Sequence, residues 1–231
     1  MELFNVRATA RQIRRREVAL KTSTVVASIA MTLLLVFYGL IHFANSIGNF
    51  TVKLAEHSEI YGLALSETRD FEEVTTLLQV KALHEMDNIT ESWIDSNVDE
   101  IDGPHNGVEY DYIAYTFYLK NTGTEKIKYN VNIEVLSAYK GADEAVRVKV
   151  YKNGVSEVYA KNQKGTNTPE PNTISFLSEE MVMSQDYDNF LPGDIDKYTI
   201  VIWLEGNDPE CLDNIKGGQV RFLMNFEIIM N

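Results

Sequence analysis

Hydrophobic and polar positions change rhythm three times along the chain. From Thr24 to Ala44 (TVVASIAMTLLLVFYGLIHFA) apolar residues follow one another almost without a break, and residues 22 to 52 include no Lys, Arg, Asp or Glu. At about 1.5 Å per residue, a helix over that stretch spans roughly 32 Å, the thickness of a bilayer's hydrocarbon core. Asn49 to Ala55 and Ile60 to Leu65 then read as two short strands. Between Ser66 and about Ile94 the period lengthens: Phe71, Val74, Leu78, Ala82 and Met86 recur at steps of three and four. That spacing predicts an amphipathic helix, capped by Asp70, with Glu72 and Glu73 in its first turn.

A polar, acidic turn segment covers residues 95 to 107, and from Val108 the period falls to two. Ile113, Tyr115, Phe117 and Leu119 share one face of a strand; Tyr110, Tyr112, Ala114, Thr116 and Tyr118 share the other. Ile127, Tyr129, Val131, Ile133 and Val135 point inward, while Lys128, Asn130, Asn132 and Glu134 point outward. Asn153-Gly154 marks a hairpin between Val146–Val150 and Val155–Ala160. Residues 161 to 172 form a polar loop, an irregular strand follows over Ile174 to Met183, and Tyr198–Leu204 and Val220–Ile228 close the chain as long strands. The pattern predicts a mainly β, antiparallel sandwich with one helical insertion at about 66–94, preceded by a single transmembrane helix. No internal repeat of fixed period is visible.

Charge gives the first helix a direction. Residues 1 to 21 carry Arg7, Arg11, Arg14, Arg15, Arg16 and Lys21 against Glu2 and Glu17, and the remainder carries a net charge of −17. Short Lys/Arg-rich flanks stay in the cytoplasm. The expected organisation is therefore a cytoplasmic basic segment over 1–23, a transmembrane helix or signal-anchor over 24–44, and an extracellular domain over 45–231. Two fates stay open. The apolar stretch is longer than the 7 to 15 residues of a usual signal, which favours a retained anchor. Ala44-Asn45-Ser46 nonetheless places small residues where a signal peptidase reads, so secretion after cleavage near Ser46 is the alternative.

The outer part has one cysteine, Cys211, so it is held by packing rather than by an internal disulfide. Its acidity excludes nucleic acid as a partner, because phosphate binding needs clustered Lys and Arg. Two sequons, at Asn49 and Asn88, matter only in a eukaryotic secretory pathway.

Candidate chemistry is sparse. His84-Glu85-Met86-Asp87-Asn88 has Asn where a zinc peptidase needs its second His, and Cys211 sits between acidic residues that disfavour a thiolate. We expect no enzymatic activity and no cofactor other than calcium. Asp95, Asn97, Asp99 and Asp102 place hard oxygen ligands at the alternating positions with which calcium loops begin. Glu100 occupies the Gly position of an EF-hand, and a solvated acidic loop is the plain alternative. Asp208, Glu210 and Asp213 form a second acidic cluster. The tyrosines of 108–118 suit either a carbohydrate or protein contact, or the second buried face of a central strand; the buried face is the better expectation.

Phe190-Leu-Pro-Gly-Asp-Ile-Asp-Lys-Tyr-Thr199 resembles a segment of the camelysin/TasA family of exported Gram-positive proteins. Glu205-Gly-Asn-Asp208, then Lys216-Gly-Gly-Gln-Val-Arg-Phe222 to Phe226-Glu227, look like that family's acidic loop and final strand. Gly48-Asn49-Phe50-Thr51 to Leu54 is similar to the start of its mature domain. The resemblance implies a jelly-roll sandwich and a place in biofilm-matrix assembly. It also implies that the strand Asn49, Phe50, Thr51, Val52, Lys53, Leu54 can pass to a neighbouring copy, and part of the family is classed as metallopeptidase. In the Phe190 segment, Gly193, Asp194, Asp196 and Lys197 read from their own chemistry as a tight turn: glycine supplies the backbone angle, the carboxylates bind turn amides, and Lys197 pairs with them. The expected partners are the membrane, through the first helix, and copies of the same chain or other surface proteins. A membrane-tethered binding or sensor module is the alternative function.

Overall fold

The computed structural model describes residues 10–46, 50–80, 86–107 and 111–230. The chain divides after residue 47 into two units. The first holds a single helix, α1 (Ala10–Ser46), 37 residues long. Its stretch Arg14–Tyr38 is long and apolar enough to cross a membrane, and none of it is buried. The hydroxyls of Thr22, Thr24 and Thr32 bond the carbonyls of Val18, Leu20 and Ser28 one turn back, so these polar groups are satisfied within the helix. A helix apolar on every side has no preferred face to bury and suits a lipid surround.

The second unit is β-rich. Its strands are β1 (Phe50–Leu54), β2 (Leu63–Ser66), β3 (Leu77–Val80), β4 (Asn88–Ile89), β5 (Gly103–Pro104), β6 (Tyr112–Asn121), β7 (Ile127–Tyr139), β8 (Val146–Lys152), β9 (Val155–Ala160), β10 (Ile174–Ser175), β11 (Met181–Phe190), β12 (Ile195–Glu205) and β13 (Gln219–Ile228). One sheet runs β11-β7-β13-β1-β3 and the other β10-β9-β8-β12-β6-β2, with β4 on β12 and β5 on β6. They face each other as a sandwich: Phe226 of the first sheet lies 5.1 Å from Tyr198 and 6.1 Å from Phe117 of the second, ring centre to ring centre. Phe50, Val131, Ile133, Phe117, Leu119, Tyr198, Ile200 and Met224 fill the shared core with no exposed surface.

Alternation sets these faces as expected. Ile113, Tyr115, Phe117 and Leu119 join the main core, while Tyr112 and Ala114 join a second cluster with Ile89, Val98, Val201 and Trp203. The tyrosine-bearing face of β6 is thus buried under the segment 88–107. Val108 and Tyr110 lie outside the described residues. The Asn153-Gly154 hairpin forms between β8 and β9, with both residues at positive φ, 51° and 84°. Paired positive angles give a turn whose twist matches that of the strands it joins.

Three expectations need correction. No α-helix forms among the described residues of 66–94; Ala82 and the rest of 81–85 lie outside them. Asp70 does accept the Glu72 amide at 3.2 Å, but Phe71 has φ 56° and the chain turns instead of winding. Val74, Thr75 and Thr76 are β-branched, and the next four residues pair antiparallel with β1, burying Leu78 and Val80. A sheet edge outweighs a local helical period. The sheets are mixed rather than purely antiparallel: β1–β13, β9–β10 and β4–β12 pair in parallel. Residues 56–62 are a turn rather than the start of a strand, leaving Ile60 exposed. Gly62 requires this, since a Cβ there would meet the Gly123 backbone at 2.4 Å.

Candidate functional site

β1 is the element the sequence marked for assembly. Phe50 and Val52 are fully buried and Leu54 nearly so, while Thr51 and Lys53 face the other way. The strand lies parallel to β13, pairing Phe50 with Phe222 through Leu54 with Phe226. On its other side, among the described residues, stands only β3, four residues long and at the edge of the sheet. The Leu54 amide donates to Thr76 and the Ala55 amide to Phe226, at 3.0 and 2.8 Å. Asn49 lies outside the described residues.

The proposed calcium ligands do not converge. The Asp95 carboxylate accepts the Tyr112 hydroxyl at 2.9 Å, and Asp102 accepts that of Tyr118 at 2.6 Å. Asp99 faces Lys197, 3.7 Å away, whose ammonium also reaches the Asp99 carbonyl at 2.5 Å. Asn97 contributes its carbonyl to the Glu100 amide. Burial, then the hydrogen bond to its acid, pushes each of Tyr112 and Tyr118 up to about 12. Tyr115 donates in the same way to Glu67 at 2.5 Å. The pairings of Asp95, Asp99 and Asp102, not that of Glu67, pin the acidic segment across the outer face of the second sheet.

In the turn after β11, Gly193 has φ 88° and the Asp194 carboxylate accepts the Leu191 amide at 2.8 Å, as a tight turn requires. Asp196 does otherwise. It lies inside the sandwich, accepts the Tyr129 hydroxyl and the Asn153 amide, and pairs with Lys152 at 3.0 Å. Tyr129 in turn meets the Tyr198 hydroxyl at 2.8 Å, and burial raises the pKa of both tyrosines. Lys197 pairs with Asp99 rather than with the aspartates of its own turn.

Two carboxylate groups gather around buried cations, and of their members the sequence had marked only Asp208 and Glu210. Lys161 reaches Asp143 at 2.6 Å and Glu144 at 3.2 Å and also bonds Glu179. Arg147 donates to Asp208 at 2.5 Å and lies 3.7 Å from Glu170. Glu210 completes that second group, whereas Asp213 turns out to Lys216. Burial, then the Asp208 charge, raises the Glu170 carboxyl; a hydrogen bond to Asp208 and then burial raise Glu210. Burial and the Asp208 charge push the Cys211 thiol up, which keeps it protonated. Strand pairing assembles both groups: Arg147 stands opposite Ala160, the neighbour of Lys161. Separations of 17 to 61 residues leave no local signal.

The outer face of the first sheet is polar and ordered in rows. Ser184, Asn132, Asn225, Lys53 and Leu77 stand side by side across all five strands. Glu134, Leu223, Thr51 and Gln79 form the next row, and Asp186, Asn130 and Glu227 flank the first on its other side. Among the described residues, three enclosed side-chain atoms have no hydrogen-bond partner, and all lie here: Thr51 Oγ1, Asn132 Oδ1 and Asn225 Oδ1.

No family model and no curated protein matches the chain. Among solved structures, it is similar to a crystal structure of β-glucosidase from Kluyveromyces marxianus in complex with glucose, at 12% identity and a TM-score of 0.26. The match covers 74% of this chain but only 16% of that enzyme's length.

Proposed function

We propose that this is a non-enzymatic cell-surface protein, held in the membrane by α1 with its β-sandwich outside, that takes part in extracellular assembly by exchange of β1. The placing of β1 supports this reading. It is the first strand of its unit, so it leaves without threading a loop, and among the described residues only the four-residue β3 closes over it. Its departure would open a slot beside β13 lined by the partners of Phe50, Val52 and Leu54, which a neighbour's β1 fits. The resemblance of the chain ends to the camelysin/TasA family points the same way by analogy. Three residues separate Ser46 from Phe50, so an attached helix holds β1 near the bilayer, and release after cleavage near Ser46 would free it to exchange.

Exchange is tested by cross-linking. In a domain beginning at Ile47 with Cys211→Ser, Lys53→Cys and Asn225→Cys stand opposite each other in register. Mixing the two single variants should give disulfide-linked dimers that increase with concentration. Monomers alone, from a mixture whose double variant does close its internal disulfide, would rule exchange out. A tethered binding module is then the better account, favoured by the polar outer face of the first sheet.

A further inference from the structure

That outer face carries an unmet hydrogen-bonding demand. Thr51 is 6% exposed and its Oγ1 bonds to nothing; Asn132 Oδ1 and Asn225 Oδ1, on adjacent strands of one row, are likewise unpaired. Enclosed polar atoms without a partner cost stability, and a sheet without a use for them would place apolar atoms there. Both amide oxygens are acceptors, so the missing partner is a donor. The Asn side chains turn about a soft terminal torsion, which lets the oxygens swing toward an incoming group.

The surrounding residues define the donor's class. Lys53, Lys128, Lys140 and Arg221 are balanced by Glu134, Asp186, Asp188 and Glu227 on or beside the same face. A polyanion or polycation would gain nothing there. Asn130, Ser184 and Gln79 extend the array of neutral hydrogen-bonding groups across the strands. At one end, Tyr139 pairs with Gln219 and is 61% exposed, with the Lys140 ammonium 5.8 Å from its ring centre. An exposed ring beside rows of amides suits a molecule with an apolar face and a rim of hydroxyls. We propose that the outer face of the β11-β7-β13-β1-β3 sheet binds an uncharged saccharide chain laid along β7 and β13, since Tyr139 lies seven residues, roughly 20 Å, along β7 from Asn132. Its hydroxyls donate to Asn132, Asn225 and Thr51, and one sugar ring stacks on Tyr139. This site is separate from the core-facing contacts by which β1 would be exchanged.

The test uses the full chain in detergent micelles, with cellohexaose and chitohexaose as uncharged probes and dextran sulfate as the charged control. The wild type should bind at least one hexaose and ignore dextran sulfate. Asn132→Leu/Asn225→Leu should weaken that binding by about tenfold or more, with the melting temperature unchanged or higher because two unpaired acceptors are gone. Tyr139→Ala, at an exposed position, should weaken the same hexaose and serves if the double variant does not fold. Failure of both hexaoses to bind would overturn the proposal. So would binding of dextran sulfate in their place, or variants that bind as the wild type does. Assembly through β1 should persist in Tyr139→Ala, so the two readings fail separately.

Discussion

Arg147 is one guanidinium among three carboxylates, and its removal has a computable direction. Arg147→Ala would leave Asp208 and Glu170, both about 5% exposed, without their cation. Stripping one partner from a buried ion pair costs about 3–5 kcal/mol. The penalty should shrink on acidification. Glu170 and Glu210 bind their protons more tightly folded than unfolded, because their folded pKa values are raised. Their charged forms therefore weigh against the fold at neutral pH, and stability recovers as pH falls through the raised values. Urea unfolding of wild type and Arg147→Ala at pH 7 and pH 5 checks this: the gap between them should be narrower at pH 5. An equal gap at both would show that the cluster does not hold its excess charge.

At the scale of elements, two glycines separate backbone angle from space. Gly154 has φ 84° with open surroundings, so Gly154→Ala should cost about 1 kcal/mol, from the angle alone. Gly62 has φ 99° and the Gly123 backbone where a Cβ would go, so Gly62→Ala should cost clearly more. Equal melting temperatures for the two variants would contradict the close approach of the turn 56–62 to Gly123. The hairpin at Asn153-Gly154 was legible because its signal is two adjacent residues. The strands β7 and β13 were legible because burial of one face writes a period of two, and β6 and β12 because a strand buried on both faces is a near-continuous run of apolar and aromatic residues. The segment 66–94 was misread because five apolar residues happened to fall at helical spacing, while the partner that decides the matter, β1, lies elsewhere in the sequence. The acidic loop was legible as acidic but not as to its partners: Asp95, Asp99 and Asp102 each bond a residue 16 or more positions away.

For the molecule as a whole, the two sheets differ in what covers them. Residues 88–107 cover the outer face of the second sheet at β6 and β12, pinned through Tyr112 and Tyr118. The first sheet keeps an open polar face, and at its side β1, the strand we propose to be exchanged, is covered by the short β3. Both are of use only where partners can reach them, and our proposal that the sandwich lies outside rests on the basic flank before α1. Protease added to intact, wall-stripped cells tests this most directly. The sandwich should be digested without lysis, leaving the α1 segment protected in the membrane. A domain that stays whole until the cells are broken open would contradict the account.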